Sequence, residues 1–88
     1  MLELEISKYS QKFIKKNKSD IRLIKKLGLS IKNLRDNPLP NGAKKLIGYS
    51  FYRIRVNNYR IIYKYDEKTL YISVIEKRDK VYGLLNKI

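Results

Sequence analysis

The amino-acid sequence predicts a single α+β domain over residues 1–88, an antiparallel sheet with a helical hairpin packed on one face. Apolar residues recur at three- and four-residue steps in the first half of the chain, as in amphipathic helices. From Ala43 onward apolar and polar residues alternate instead, as in strands. Helices that are segregated from a mostly antiparallel sheet are typical of α+β domains. The predicted order of elements is therefore β-α-α-β-β-β-α.

The first half of the chain is expected to contain one strand and two helices. Apolar residues alternate with glutamates over residues 2–6, which predicts a half-buried strand. Ser7 is expected to cap the first helix and Ser19 the second, with Asp20 in the first turn, because such side chains accept backbone N–H groups there. Pro38 ends the second helix, since proline cannot continue the hydrogen-bond ladder.

A β-hairpin is predicted from Phe51 to Tyr65, with Asn57-Asn58 as its two-residue turn. This turn sets Arg55 opposite Arg60, and Arg53 lies on the same face because side chains alternate along a strand. Like charges directly opposite each other destabilise a sheet. The pattern therefore indicates that an anion binds there, although an ordinary solvated face is the alternative.

The C-terminal part is expected to form one more strand and a short helix. A charged bend from Glu76 to Lys80 would separate that strand from a helix over Val81 to Ile88. The segment Lys44 to Ile47 is either the start of a strand or a loop. The apolar residues expected to share one face of the last strand are Leu70, Ile72 and Val74.

Charge is the strongest signal in the composition. Lysine and arginine number 21 against 8 acidic residues, a net charge of +13. Such a charge attracts polyanions, either nucleic acid, an anionic membrane or an acidic protein. Part of it has a simpler explanation, because lysines often occupy solvated helix faces. That explanation does not account for arginines within strands.

The missing residue types limit the possible chemistry. The chain has no cysteine and no histidine, which excludes disulfides, thiolate metal sites and the commonest acid–base group. The eight acidic residues are scattered, so we expect no metal and no other cofactor. We find no signal peptide and no apolar run of membrane-spanning length, which predicts a cytoplasmic protein without a membrane partner.

The motif YRIRV-NN-YRIIY, with Lys45, Leu46 and Gly48 before it and KRDKVY after it, resembles the RelE/ParE superfamily of toxins from toxin–antitoxin pairs. The resemblance covers nearly the whole chain. In the RelE-like branch it implies a ribosome-dependent endoribonuclease that cuts messenger RNA in the decoding site. In the ParE-like branch it implies a protein that poisons DNA gyrase and lacks the nuclease residues. Either branch implies an antitoxin, RelB-like in the first case, whose acidic or amphipathic segments wrap the toxin.

The RelE-like branch implies a catalytic set of basic residues and one tyrosine. Two basic side chains before the turn match Arg53 and Arg55, although the best-known member has lysine there. Arg60 matches the arginine that follows a tyrosine on the next strand. Arg78 matches an arginine near the end of the last strand, and Tyr82 a tyrosine after it, at a shorter spacing than in that member. Branches that use histidines are excluded.

These residue types suit cleavage of RNA by attack of its own 2′-hydroxyl without a metal. Guanidinium groups match phosphate oxygens with a planar fork. They are poor bases, because their pKa lies above ~12. Tyr82 is the better candidate for the base, or else it stacks on a nucleobase. Arg78 either protonates the leaving 5′-oxygen or neutralises it.

General contacts with ribosomal RNA of the 16S type are expected from a set of lysines. An RNA-binding module without chemistry is a further alternative to both toxin branches. It would show salt-sensitive affinity for RNA and form no cyclic-phosphate product. The lysines expected to contact ribosomal RNA are Lys15, Lys16, Lys25, Lys26 and Lys45.

Overall fold

The predicted α+β fold is confirmed, with five strands in one sheet. The computed structural model describes residues 1–46, 48 and 50–85, and the side chains of Tyr82 and Leu85 lie outside this description. The sheet order is β1-β5-β4-β3-β2. All neighbouring strands are antiparallel except β1 and β5, which are parallel. The elements are β1 (Glu3–Ile6), α1 (Lys8–Lys16), α2 (Ile21–Asp36), β2 (Lys44–Lys45), β3 (Tyr52–Val56), β4 (Tyr59–Tyr65), β5 (Thr69–Lys77) and α3 (Arg78–Leu85).

The main core lies between the helical pair α1–α2 and one face of the sheet. The apolar stripe of α2 provides four buried residues at helical spacing, which is why this helix turns one face to the strands. The central strands β4 and β5 contribute residues with no exposed surface, such as Ile61 and Ile75. The buried residues of this core are Phe13, Leu23, Leu27, Ile31, Leu34, Val56, Ile61, Tyr63, Leu70, Ile72 and Ile75.

Both helices begin at side-chain caps, and one of the two predicted caps is correct. Ser7 caps α1, since its hydroxyl accepts the Ser10 N–H at 3.1 Å. The predicted Ser19 cap of α2 is wrong, because Asp20 occupies that position and accepts the Leu23 N–H at 3.2 Å. A carboxylate beside the helix N-terminus also interacts favourably with the helix dipole.

The Ser7 hydroxyl has a second role, because it also donates a 2.7 Å hydrogen bond to the Ser73 carbonyl of β5. It therefore ties the start of α1 to the sheet. We expect Ser7→Ala to lower the free energy of unfolding by about 1–2 kcal/mol, as for loss of a cap and a tertiary hydrogen bond. Chemical denaturation measures this. Ser19→Ala is the matched control, since Ser19 is exposed and caps nothing, and an equal loss in both variants would contradict the prediction.

A β-bulge at Ser73 changes the predicted alternation of β5. Ile62 pairs with Val74 but Tyr63 pairs with Ile72, so Ser73 is an extra residue. Leu70 and Ile72 face the helical pair as expected, whereas Val74 belongs to a core on the opposite face. The prediction that Val74 shares their face is therefore wrong. Alternation alone cannot reveal an inserted residue, because both bulge neighbours are apolar.

The opposite face of the sheet carries a second, smaller core beneath α3. Its buried residues are Leu46, Ile62, Val74 and Val81, with Phe51 and Leu84 packed against them. The helix α3 starts at Arg78, earlier than the predicted Val81. The predicted bend over 76–80 is wrong, because Glu76 and Lys77 complete β5 and the helix follows without a loop. The last part of the predicted helix, 86–88, lies outside the described residues.

Tyr63 is the largest fully buried side chain of the main core. Its hydroxyl donates a 2.6 Å hydrogen bond to the Pro38 carbonyl, which fixes the chain after α2 against the sheet. Its ring stacks on that of Tyr52, with centroids 5.8 Å apart. Burial raises the pKa of the Tyr63 hydroxyl, with smaller contributions from its neighbours Tyr65 and Tyr52.

Replacing Tyr63 with phenylalanine is expected to lower the free energy of unfolding by about 1–2 kcal/mol near neutral pH, because the buried Pro38 carbonyl loses its donor. The gap between wild type and variant should narrow as the pH rises above about 10, where the hydroxyl ionises in the unfolded chain only. Denaturant titrations of both proteins at a series of pH values measure the gap. A gap that widens at high pH would contradict the raised pKa.

Candidate functional site

The strand register brings the three predicted hairpin arginines onto one face of the sheet. Arg55 lies directly opposite Arg60, as predicted, and Arg53 lies opposite Ile62. The pairing of β2 with β3 sets Lys44 opposite Arg53. Residues that are directly opposite share a face. We call this cationic surface the arginine face; its members are Lys44, Arg53, Arg55 and Arg60.

The arginine face places like charges directly opposite each other in two places, Lys44 with Arg53 and Arg55 with Arg60. Each such pair destabilises a sheet, by roughly 0.2–1 kcal/mol. Two repulsive pairs on adjacent strands are therefore unfavourable for folding. They become favourable when an anion lies over them, because guanidinium groups bind phosphate or carboxylate oxygens with two parallel hydrogen bonds.

The arginines of this face differ in how freely they can move. Arg55 is exposed and Arg53 is half-buried. Arg60 is only 3% exposed, because β4 is flanked by β3 and β5. One of its guanidinium nitrogens, Nη1, donates a 3.1 Å hydrogen bond to the Tyr59 carbonyl. Arg60 is therefore the fixed cation of the arginine face, and Arg55 is the one most open to solvent.

Arg78 and Tyr82, the other predicted catalytic residues, belong to α3. Arg78 is exposed and is the first residue of that helix, directly after the last strand. Its backbone N–H donates to the Asn58 carbonyl at 2.9 Å, so it lies at the turn end of the hairpin. Tyr82 is within α3, and its side chain lies outside the described residues.

The family of this chain follows from a comparison with known toxin families. The sequence profile described as "ParE toxin of type II toxin-antitoxin system, parDE" matches residues 4–82, and this match includes every residue of the arginine face. The chain belongs to the ParE toxin family. The predicted membership of the RelE/ParE superfamily is therefore confirmed. No curated protein sequence is significantly similar to this ParE-family toxin.

Solved structures of related toxins share the fold. The toxin of the RelB–RelE complex from Methanococcus jannaschii is 29% identical, with a TM-score of 0.67 over 94% of this chain and 96% of that one. The DinJ–YafQ toxin–antitoxin complex from E. coli matches with 20% identity and a TM-score of 0.76, over 93% of this chain and 98% of that one. A YoeB/ParE toxin from Agrobacterium tumefaciens matches with 18% identity and a TM-score of 0.77, over 88% and 99% of the two chains.

The lysines expected to contact ribosomal RNA do not lie on the arginine face of the ParE-family toxin. Four of them are exposed on α1 and α2, which cover the other side of the sheet. Lys45 pairs with Tyr52, so it lies on the opposite face from Arg53. The residue beside it, Lys44, faces the arginines. Sequence reasoning missed Lys44 because a strand of two residues is too short for its alternation to be recognised. The four helical lysines are Lys15, Lys16, Lys25 and Lys26.

Two kinds of feature are missing from the part of the toxin that the structure describes. Among residues 1–46, 48 and 50–85, no three His, Cys, Asp or Glu residues are grouped closely enough to hold a metal ion. Within the same residues, no helix has the length and apolar character needed to cross a membrane.

Proposed function

We propose that this ParE-family toxin cleaves messenger RNA on the ribosome, and that the arginine face binds the phosphodiester at the cut. The observation that carries the proposal is the direct pairing of Arg55 with Arg60, next to the pairing of Lys44 with Arg53. These pairs oppose folding and favour an anionic ligand. A phosphodiester that becomes more negative in the transition state is stabilised most by cations that are already in place.

The arginine face supplies charge, and α3 supplies the proton-transfer groups. In the reaction, the 2′-oxygen of the RNA attacks phosphorus, the bond to the 5′-oxygen breaks, and a cyclic 2′,3′-phosphate forms. Arg60, fixed by its burial, and the more mobile Arg53 and Arg55 neutralise the phosphate oxygens. Arg78 protonates or neutralises the leaving 5′-oxygen. Tyr82 accepts the proton of the attacking hydroxyl or stacks on a base, and no metal takes part.

We also propose a cognate antitoxin as the partner that keeps this toxin inactive. The RelB–RelE and DinJ–YafQ structures are toxin–antitoxin complexes, which supports such a pairing. A net charge of +13 favours an antitoxin with acidic or amphipathic segments that wrap the toxin and cover its cations. The same charge supports contacts with 16S-type ribosomal RNA during cleavage.

The second candidate is a toxin that poisons DNA gyrase through a protein contact and cleaves no RNA. The matching family profile favours it, because that profile carries the ParE name. In this case the arginine face would bind an acidic protein surface. A third candidate, an RNA-binding module without chemistry, is favoured only by the net charge.

Parallel assays of ribosomes and gyrase distinguish these candidates. Purified toxin is incubated with translating ribosomes, and primer extension maps breaks in the messenger RNA. The same preparation is tested for gyrase-dependent DNA breaks. We expect new 5′ ends in the RNA, and we expect the double variant Arg53→Ala/Arg55→Ala to lose most of them. Intact transcripts together with DNA breaks would overturn the proposal in favour of the second candidate, and salt-sensitive RNA binding without breaks would favour the third.

A further inference from the structure

A pocket of about 320 Å³ lies on the helix side of the sheet, opposite the arginine face, where α1 meets the end of β5 and the first turn of α3. Aromatic rings form part of its wall. Phe13 and Tyr59 pack edge to face with centroids 5.6 Å apart, and Tyr9 beside them is 42% exposed. The size of the pocket is sufficient for one nucleobase with part of its backbone, and an aromatic ring stabilises a stacked base by roughly 1–3 kcal/mol.

A hydrogen-bonded pair of polar side chains lies in the same pocket. The Tyr9 hydroxyl donates to Glu76 Oε2 at 2.6 Å, and the Lys77 backbone N–H donates to Glu76 Oε1 at 3.0 Å. The hydrogen bond to Glu76, together with burial, raises the pKa of Tyr9 to about 12, so its hydroxyl is protonated at neutral pH. Each carboxylate oxygen has lone pairs for two donors. Glu76 can therefore accept a further hydrogen bond from a ligand.

Four exposed lysines surround this pocket. Two come from α1, one from the end of β5 and one from α3, so the cations lie on different sides of the opening. Phosphates on either side of a base held in the pocket would meet ammonium groups on both sides. The four lysines are Lys12, Lys16, Lys77 and Lys80.

We propose that this pocket binds one unstacked base of a single-stranded RNA, with the neighbouring phosphates on the four lysines and the Glu76 carboxylate accepting an amino group of the base. This inference rests on the proposed RNA-directed function. The carboxylate favours RNA over an acidic peptide, because it would repel acidic side chains and attracts the exocyclic amino groups of cytosine, adenine and guanine. The pocket is separate from the arginine face and gives the toxin a second RNA contact.

Lysine substitutions test whether phosphates bind here. A uridine hexanucleotide with one central 2-aminopurine is titrated with toxin, and its fluorescence falls when the modified base stacks on an aromatic ring. We expect Lys12→Ala/Lys80→Ala to weaken binding at least tenfold and to reduce the salt dependence of log Kd by about two units, since each lost phosphate contact removes about one. Lys18→Ala/Lys68→Ala is the charge-matched control, because both lysines are exposed and neither lines the pocket. Equal losses in the two double variants would overturn the proposal.

Replacing Glu76 with glutamine tests the base contact, because the amide oxygen can still accept from Tyr9. We expect about a threefold to tenfold loss of affinity for oligomers of cytidine or adenosine and little loss for uridine, which has no amino group. Tighter binding to every oligomer would mean that Glu76 only repels phosphate and would overturn the base contact. A glutamate hexapeptide that binds wild type more tightly than the RNA would assign the pocket to a protein partner instead.

The failure of this inference differs from failure of the proposed function. If Lys12→Ala/Lys80→Ala binds RNA as wild type does, while Arg53→Ala/Arg55→Ala abolishes cleavage, only the pocket assignment fails. If the pocket binds RNA as expected and transcripts remain intact on ribosomes, only the cleavage proposal fails. Thermal unfolding of each variant checks that the exposed substitutions leave the fold unchanged.

Discussion

Replacing Arg60 with alanine is expected to lower the rate of messenger-RNA cleavage about 100-fold or more. Arg60 is the most buried cation of the arginine face, at 3% exposure, and β3 and β5 flank its strand. A charge that is fixed before the reaction does not have to be reoriented as the phosphate becomes more negative. Removal of one such group typically costs about 100- to 1,000-fold in rate. Single-turnover cleavage of ribosome-bound messenger RNA measures the effect.

Two further variants separate the charge of Arg60 from its packing. Arg60→Lys keeps the charge but lacks the planar fork, so its rate should lie between those of wild type and alanine variant. Arg22→Ala is the matched control, because Arg22 is an exposed arginine of α2 outside the arginine face. Denaturation of each variant shows whether the fold is retained. Wild-type rates in both Arg60 variants would exclude the arginine face as the site of cleavage.

The largest effect on stability is expected from Leu27→Ala in α2. Leu27 is 2% exposed and belongs to the main core between the helical pair and the sheet. Truncating a leucine in such a site leaves a cavity and costs about 2–5 kcal/mol. The total stability of a domain is roughly 5–15 kcal/mol. Leu27→Ala therefore removes a large share, and urea unfolding monitored by circular dichroism measures it.

Leu29 provides a control in the same helix, two residues away and 60% exposed. Leu29→Ala makes the same chemical change without a cavity, and alanine is at least as good a helix former as leucine. We expect a change within about 0.5 kcal/mol. Similar losses in the two variants would mean that the packing of α2 on the sheet is not what stabilises this domain.

The fold was predictable because its local signals agree with one another. The apolar stripe of α2 and the alternation of the hairpin each require one buried face, and both patterns are regular over many residues. The Asn57-Asn58 turn also fixed the register, so the opposition of Arg55 and Arg60 followed before any coordinates were known. Of these two turn residues, Asn57 has a positive φ of 55°.

Errors arose where one residue alters a pattern or where two signals compete. Ser19 and Asp20 are both good caps, and sequence alone does not show which one begins the helix. The bulge at Ser73 shifts the faces of β5 within a run of residues that all favour strands. The start of α3 at Arg78 was missed because Glu76 to Lys80 is highly charged and has no apolar period.

The sequence by itself determined the α+β class, the hairpin register and the sharing of one face by Arg53, Arg55 and Arg60, because these depend on periodicity and on one short turn. Only the tertiary structure decided that Lys44 joins that face and that Arg60 is buried there. It also brought Tyr9 and Glu76 together, although 67 residues separate them. Contacts between distant segments depend on how the helices and strands pack, and no local pattern encodes that packing.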